Sequence, residues 1–132
     1  MSTGYKIKEP ERIYFLTLQI VGWVDLFSRK IYRDIVIDSL KYCQTNKGFE
    51  IFAYVIMSNH IHIMCRSNNG DLSGTIRDMK SFTSRQFLDL INSNKESRKE
   101  WMLMVFKYHA KFKIRIANAR ERRYKLRLTV KI

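Results

Sequence analysis

The residues with the clearest chemical potential are two histidines separated by one apolar residue, His60-Ile61-His62. Apart from Ser58 and Asn59, the rest of the surrounding segment, 55–64, is apolar and is typical of a buried β-strand. Because successive side chains of a strand point to opposite faces, His60 and His62 share one face. Neutral imidazoles held side by side on a rigid strand are suited to binding a divalent metal ion. Two histidines at this spacing also occur without any metal, so the pair alone leaves a structural role open.

The chain carries a large excess of positive charge. Its 132 residues include 25 Lys and Arg against 12 Asp and Glu, which gives a net charge of +13 and a pI near 10.0. This excess favours a polyanionic partner. We expect nucleic acid rather than a membrane surface, because no basic amphipathic helix with a clean apolar face is visible. A basic surface that serves only solubility is the alternative.

Length and composition indicate a single domain, 1–132, with residues 1–10 as a polar lead-in. The hydrophobic content of 45% is enough for a core and argues against disorder. No apolar run is long enough for a membrane span, and no signal peptide is visible. Cys43 and Cys65 match neither a disulfide framework nor a zinc motif. We therefore expect a cytoplasmic protein that does not associate with membranes.

The hydrophobic pattern predicts the elements that position the histidines. Residues 14–21 are β-branched and aromatic and predict a central first strand, and 3.6-residue spacing predicts a helix over about 30–46. Residues 49–57 are apolar on both faces, which predicts an interior strand. The short, turn-prone pair Ser58-Asn59 predicts a hairpin into a third strand, 60–66, which carries the histidines at its start.

Two further helices follow the histidine strand. Asp71 or Ser73 is expected to cap the first of them, and residues 72–91 show helical spacing. Its outward face is predicted to carry Arg77, Lys80, Ser84 and Arg85. A third helix is predicted over about 96–107, with a stripe that includes Trp101, Met104 and Tyr108.

The basic tail, 111–132, has a different period. Phe112, Ile114 and Ile116 alternate with Lys113 and Arg115, and residues 124–132 alternate in the same way. Strict alternation predicts two half-buried strands that form a β-hairpin, although a poorly ordered tail is the alternative. The tail holds nine Lys and Arg against one Glu, a net charge of +8. The residues that we expect to contact DNA phosphates are Arg77, Lys80 and Arg85 of the second helix and Lys113, Arg115, Arg122, Arg123, Lys125 and Arg127 of the tail.

The order of predicted elements, β-α-β-β-α, indicates an α+β fold. Split β-α-β units with an antiparallel sheet and both helices on one face define the ferredoxin-like arrangement, to which this chain adds a basic C-terminal extension. The free face of the sheet then carries the chemistry. Whether the histidines lie at the centre or at an edge depends on the strand order, which the sequence leaves open.

Residues 54–62, Tyr-Val-Ile-Met-Ser-Asn-His-Ile-His, resemble the histidine–hydrophobe–histidine (HUH) motif of the single-tyrosine transposases of bacterial mobile elements. The similarity is closest to the REP-associated tyrosine transposases. It extends through residues 14–23, the helix after them and residues 72–84, and it covers roughly residues 5–107. The phrase Met57-Ser58-Asn59-His60-Ile61-His62 is considerably more specific than a bare pair of histidines.

The resemblance implies DNA transposition and recombination by an enzyme that binds single-stranded hairpin ends. His60 and His62 would hold Mg²⁺ or Mn²⁺ on the scissile phosphate, where the metal neutralises developing charge. A tyrosine on a helix would attack the phosphate and form a 5′-phosphotyrosine link, leaving a 3′-hydroxyl. Family members in the smaller branch are usually homodimers in which the tyrosine helix completes the partner's site.

The tyrosine half of the family pattern is altered in this sequence. The family's tyrosine lies on a late helix and is followed four positions later by Asn or Gln. Tyr124 stands at a suitable distance after His62 but is followed by Leu128, and Tyr108 comes early and is followed by Phe112. We therefore expect a member truncated or altered after about residue 107, with Tyr124 as the candidate nucleophile.

Two other functions stay open on the sequence. One is a non-catalytic DNA-binding remnant of such a transposase that lacks a competent nucleophile. The other is a basic RNA-binding ferredoxin-like domain, although the exposed aromatic pairs expected of RNA-recognition sheets are not evident.

Overall fold

The computed structural model describes residues 12–93, 96–117 and 128–131, and side chains within 12–93 and 96–109. The predicted lead-in, 1–10, lies outside the described residues. The elements, in chain order, are β1 (Tyr14–Ile20), α1 (Lys30–Asn46), β2 (Phe49–Ile56), β3 (His60–Ser67), α2 (Leu72–Asn92), α3 (Lys99–Ala117) and β4 (Leu128–Lys131). Two 3₁₀ turns, Val21–Trp23 and Leu26–Ser28, connect β1 to α1. None of the described helices combines the length and the apolar content that a membrane span requires.

The four strands form one antiparallel sheet in the order β2-β3-β1-β4. This order confirms the α+β, ferredoxin-like fold and the central position of β1. It also settles the location of the histidines, because β3 lies between β2 and β1. A strand with neighbours on both sides has its backbone groups paired along both edges, so the side chains of β3 are held by a rigid frame.

The hydrophobic core lies on one face of the sheet, beneath α1 and α2. Alternate residues of the two central strands are buried there, and they pack with the apolar stripes of both helices. These strand residues are Leu16, Leu18, Ile20, Ile61, Ile63 and Cys65. The other alternate set, which includes Thr17, His60 and His62, therefore lies on the opposite face, which none of the described helices covers and which we call the open face.

The prediction that residues 49–57 form an interior strand was wrong, because β2 is an edge strand of the described sheet. A bulge explains why both of its faces are apolar. Phe49 and Ile51 pair with buried positions of β3, but the register shifts after Ile51, so that Ala53 and Val55 pair with Met64 and His62 on the open face. An extra residue in one strand moves all later side chains to the opposite face.

The helices that cover the core begin and end close to their predicted positions. α1 spans Lys30–Asn46, as predicted, and the Asp71 side chain caps α2 by accepting a hydrogen bond of 3.1 Å from the Gly74 amide. One predicted surface residue of α2 was wrong: Ser84 is buried rather than exposed.

The predicted hairpin of the tail was also wrong. Residues 112–116 belong to α3, which continues from Lys99 to Ala117, and only Leu128–Lys131 of the described tail forms a strand. That strand pairs with β1, so that Ile20 lies opposite Leu128. No Gly or Pro separates residues 107 and 117, and Ala, Lys and Arg favour helix. A helix that is already nucleated therefore continues through a short alternating segment.

Two features dock α3 against the rest of the fold. Before its first turn, the buried Glu96 carboxylate accepts a hydrogen bond from Arg29 (2.7 Å) and one from the Tyr32 hydroxyl (3.2 Å). Further along, Val105 packs against Gly22, where a Cβ would lie only 2.5 Å from Val105 Cγ1. The turn after β1 therefore has α3 directly against it.

Candidate metal and nucleic-acid site

The two histidines are neighbours on the open face of the central strand β3. Their ring centroids lie 4.7 Å apart at an interplanar angle of 77°, and both side chains are half-buried. The alternation of β3 places the spacer Ile61 in the core, where it is 1% exposed. Because Ile61 is buried in the core, its neighbours His60 and His62 are both held on the open face.

Thr17 of β1 orients the ring of His62. The two residues are partners across the β1–β3 ladder, and Thr17 Oγ1 lies 3.0 Å from His62 Nδ1. A hydroxyl can accept the Nδ1 hydrogen, and the Nε2 lone pair then stays free to bind a metal. Metal-binding histidines commonly donate their second ring nitrogen in this way, which fixes both tautomer and orientation.

Asn59 orients the ring of His60. Its side-chain Oδ1 lies 2.7 Å from His60 Nδ1. Because an amide oxygen can only accept a hydrogen bond, His60 Nδ1 is the donor in this contact, and in the neutral imidazole the lone pair is then on Nε2. Gln19 is the cross-strand partner of His60 and lies on the same face. The two imidazoles thus have separate polar partners on their Nδ1 sides.

The donor set is suited to a divalent ion with several open positions. Mn²⁺ accepts both imidazole and oxygen ligands, whereas Mg²⁺ prefers oxygen and retains water. Among the residues whose side chains are described, no group of three or more His, Cys, Asp and Glu surrounds the pair. Two histidines on an open face leave the remaining positions of an ion to water, to an amide oxygen or to the oxygens of a bound phosphate.

An aromatic ring adjoins the histidines on the open face. Phe15 of β1 stacks on the His62 ring, with centroids 5.3 Å apart and an interplanar angle of 24°, and Phe15 is still 51% exposed. Met64 and Val55, both partly exposed, continue this apolar surface across β3 and β2. Polar groups that could hold a metal therefore lie beside a flat apolar surface that suits the faces of bases.

The Ser58–Asn59 turn joins the histidine strand to the segment after β1. The Ile20 amide donates to the Asn59 carbonyl and the Phe27 amide donates to the Ser58 carbonyl, each at 2.9 Å. The Asn59 side-chain amide makes a longer hydrogen bond of 3.5 Å to the Trp23 carbonyl. Asn59 therefore contacts both His60 and the Trp23 turn.

The predicted DNA-contacting cations of α2 do not lie beside the histidines. α2 packs on the core face of the sheet, so its outward side chains are on the opposite side of the molecule. Arg77 and Arg85 are exposed and Lys80 is half-buried, and Arg77 forms an ion pair of 3.2 Å with Asp78. These cations and the histidines form two separate surfaces.

The structure describes only some of the predicted site residues of the tail. Lys113 and Arg115 belong to α3 rather than to a strand. Tyr124, the candidate nucleophile, lies outside the described residues, as do Arg122, Arg123, Lys125 and Arg127. Tyr108 lies on α3 and is 66% exposed, with its ring edge-on to His109 at a centroid distance of 5.4 Å.

Sequence reasoning missed the residues that orient the histidines. Thr17 and Gln19 interrupt the apolar strand β1 at alternate positions, which places them together on the face opposite Leu16 and Leu18. That pattern was the available signal for Thr17. The role of Asn59 had no such signal, because turn residues of this type occur without any functional partner.

Comparison with known proteins gives relatives of the fold. The structure of a REP-associated tyrosine transposase bound to a REP hairpin matches with a TM-score of 0.55 and 14% identity, over 99% of this chain. This chain spans 61% of the length of that protein. The crystal structure of a candidate transposase from Deinococcus radiodurans R1 matches with a TM-score of 0.51 and 17% identity, over 67% of this chain and 68% of that one. No curated protein sequence matches.

A family model gives the stronger result. The model of the IS200-like transposases matches residues 24–121, which include the histidine strand and the helices on either side of it. This match covers well over half of the 132 residues. The chain belongs to the IS200-like transposase family.

Proposed function

We propose that this chain binds single-stranded DNA hairpin ends of a mobile element and that His60 and His62 hold Mg²⁺ or Mn²⁺ on the DNA for strand cleavage and joining. Membership of the transposase family supports the reaction class. The hairpin substrate is supported by the similarity in fold to a transposase that was solved with a REP hairpin. The net charge of +13 supports a polyanionic substrate.

One observation carries the metal site. Both histidines have a polar partner on Nδ1, Thr17 at 3.0 Å and Asn59 at 2.7 Å, and they share one open face. This arrangement leaves both Nε2 atoms as ligands and fixes the rings before an ion arrives.

These positions assign a separate role to each group of the site. A bound divalent ion would neutralise charge on the scissile phosphate and polarise it toward attack. His60 and His62 hold the ion, and Thr17 and Asn59 keep the imidazoles in the ligating tautomer. The apolar surface of Phe15 and Met64 contacts bases next to the phosphate, while the excess of Lys and Arg attracts the DNA backbone.

We propose Tyr124 as the nucleophile only on its resemblance to the family tyrosine. A specific observation favours the alternative, a non-catalytic DNA-binding protein. The residue four positions after Tyr124 is Leu128, which begins strand β4 and pairs with Ile20. In the family pattern that position is a polar residue of a helix, so this chain has a strand where the pattern requires a helix.

A homodimer is also a proposal that rests on the family alone.

A covalent-adduct assay distinguishes the two functions. The full chain is incubated with a single-stranded DNA hairpin and Mn²⁺, and protein–DNA adducts are resolved on a denaturing gel. Catalysis by Tyr124 predicts an adduct that Tyr124→Phe abolishes and that Tyr42→Phe, a matched change at an exposed tyrosine of α1, leaves unchanged. Tyr108→Phe tests the exposed tyrosine of α3 in the same way, and we expect it to leave the adduct unchanged.

The result that supports the alternative is hairpin binding without any adduct. The proposal as a whole is contradicted if the chain binds neither the hairpin nor Mn²⁺. Binding is therefore measured separately, by fluorescence anisotropy of the same labelled hairpin with and without the metal.

A further inference from the structure

We infer that Trp23 is a stacking platform for an unpaired DNA base beside the histidine pair, an inference that rests on the proposed function. Trp23 is 70% exposed and has a positive φ of 59°. Left-handed backbone is unfavourable for a bulky side chain, because Cβ approaches the following carbonyl oxygen. A chain keeps such a residue only where the surrounding structure holds it, and such residues cluster at functional sites.

Two backbone hydrogen bonds hold the Trp23 turn against the histidine strand. They start from residues on either side of Trp23: the Ile20 amide binds the Asn59 carbonyl, and the Phe27 amide binds the Ser58 carbonyl, both at 2.9 Å. The Ser58–Asn59 turn leads directly into His60. The backbone of Trp23 and the candidate metal ligand therefore belong to one hydrogen-bonded unit.

α3 supports this turn from its other side. Gly22 precedes Trp23 and has a φ of 72°, and a Cβ there would lie 2.5 Å from Val105 Cγ1 and 3.0 Å from His109 Nε2. The backbone thus passes directly against α3 at Gly22, while the next side chain, Trp23, is exposed to solvent. The turn is clamped between α3 and the Ser58–Asn59 turn, and the indole ring is left outside.

Asn59 links the backbone of Trp23 to the side chain of His60. Its Oδ1 lies 2.7 Å from His60 Nδ1 and its Nδ2 lies 3.5 Å from the Trp23 carbonyl oxygen. One amide side chain therefore separates the Trp23 backbone from the imidazole of His60. A base that stacked on the indole would belong to a nucleotide close to the phosphate at the histidines.

The chemistry of the ring selects an unpaired base as its occupant. An exposed indole offers a large π face, and stacking of a base on such a face tolerates any sequence. The bases of a duplex already stack on one another, so their faces are not available, whereas splayed single-stranded bases expose theirs. The net charge of +13 brings the polyanion to the surface.

The test compares two DNA probes, a hairpin with an unpaired flank and the same hairpin with a blunt stem. The chain has two tryptophans, so Trp101→Phe leaves Trp23 as its only indole. We expect the flanked hairpin to quench the Trp23 fluorescence and the blunt hairpin to leave it unchanged. In the parent chain, Trp23→Gly should weaken binding of the flanked hairpin by about tenfold, and Trp23→Phe by much less.

Glycine is the informative replacement because it suits a positive φ, so it removes the ring without opposing the backbone. Trp101→Ala is the matched control, because it removes an exposed indole from α3. Thermal unfolding of each variant reports the fold independently. If Trp23 served only the fold, Trp23→Gly would change the unfolding temperature. The ratio of its affinities for the flanked and the blunt hairpin would stay at the parent value.

Three outcomes overturn the inference, and they differ in what else they affect. Equal affinity of Trp23→Gly and the parent for the flanked hairpin, without quenching, removes the stacking role and leaves the proposed function intact. A Trp23 fluorescence change that follows protein concentration without DNA assigns the ring to a contact between copies of this chain. Failure of the parent to bind either hairpin overturns both the proposed function and this inference.

Discussion

Thr17 and His62 are 45 residues apart in the sequence and face each other across β1 and β3, with Thr17 Oγ1 3.0 Å from His62 Nδ1. A hydroxyl of the first strand therefore orients an imidazole of the third. The register of the sheet creates this pair, because Thr17 and His62 are direct cross-strand partners on the open face. Thr17 is thus a positioning residue for a candidate metal ligand.

Replacement of the Thr17 hydroxyl should weaken metal binding without unfolding the sheet. Valine has nearly the shape of threonine and an equally high preference for strands. We expect Thr17→Val to lower Mn²⁺ affinity by roughly 10- to 100-fold, the usual cost of losing a hydrogen bond to a metal-binding histidine. Calorimetric titration with Mn²⁺ measures it. Thr45→Val is the matched control, because Thr45 is exposed and its described hydrogen bond is to the Lys41 carbonyl within α1; an equal loss of Mn²⁺ affinity there would contradict the assignment.

Asn59 is predicted to act on His60 through its amide oxygen. Asn59→Asp keeps an acceptor for the Nδ1 hydrogen and should retain Mn²⁺ binding, whereas Asn59→Leu removes the acceptor and should weaken binding by roughly 10- to 100-fold. Both variants alter the long contact with the Trp23 carbonyl, and Asn59→Asp also adds a negative charge that favours Mn²⁺, so the loss of the acceptor is measured by Asn59→Leu against the parent. Equal Mn²⁺ affinity in the two variants would show that the acceptor has no part in the site.

The buried phenol of Tyr32 should make the fold sensitive to alkali. Burial, together with the charge and hydrogen bond of Glu96, raises the pKa of Tyr32 from 10.0 to about 12. The unfolded chain therefore ionises first, so stability is intact below pH 10.0 and falls as the pH rises through about 12. The loss is about 2–3 kcal/mol.

Tyr32→Phe lacks this ionisation. Denaturant unfolding of parent and variant across the alkaline range therefore measures the stability lost through Tyr32. The parent should lose stability relative to the variant above about pH 10. Burial also raises the pKa of the Cys65 thiol to about 12, and that alkaline loss is common to both proteins. A stability difference that stayed constant with pH would contradict the prediction.

Gly22 should not tolerate a side chain. Its φ is 72°, and a Cβ would lie 2.5 Å from Val105 Cγ1. We expect Gly22→Ala to destabilise the fold by at least about 1–2 kcal/mol from the backbone term alone, with the clash against α3 in addition. Thermal unfolding measures the change. Gly70→Ala is the matched control for the backbone term, because Gly70 also has a positive φ but no atom of the described residues lies within 4 Å of its added Cβ.

The sequence predicted the central strands, the tight hairpin and the first two helices because those elements have strong local patterns. The shared face of His60 and His62 was predicted from their spacing, because strand alternation alone puts them on one face. The register that pairs Thr17 with His62 could not be predicted, because it depends on which strands become neighbours. The edge position of β2 was missed because the bulge near Phe52 mixes the residues of its two faces.

The tail shows a different limit of the sequence pattern. The alternation of Phe112, Ile114 and Ile116 predicts a strand, yet these residues continue α3. Five alternating residues cannot decide between strand and helix where a helix already precedes them without a break. The strand prediction succeeded at Leu128–Lys131, where β1 offered an unpaired edge.

Mn²⁺ titration of the full chain, in the parent and in His60→Ala and His62→Ala, tests the central claim most directly. The site predicts saturable Mn²⁺ binding in the parent, loss of that binding in either variant and retention of most hairpin affinity in both. His109→Gln, a change at the one histidine outside the pair, should bind Mn²⁺ like the parent. Undiminished Mn²⁺ binding in both alanine variants, or a collapse of hairpin affinity that matched the loss of metal, would contradict the account.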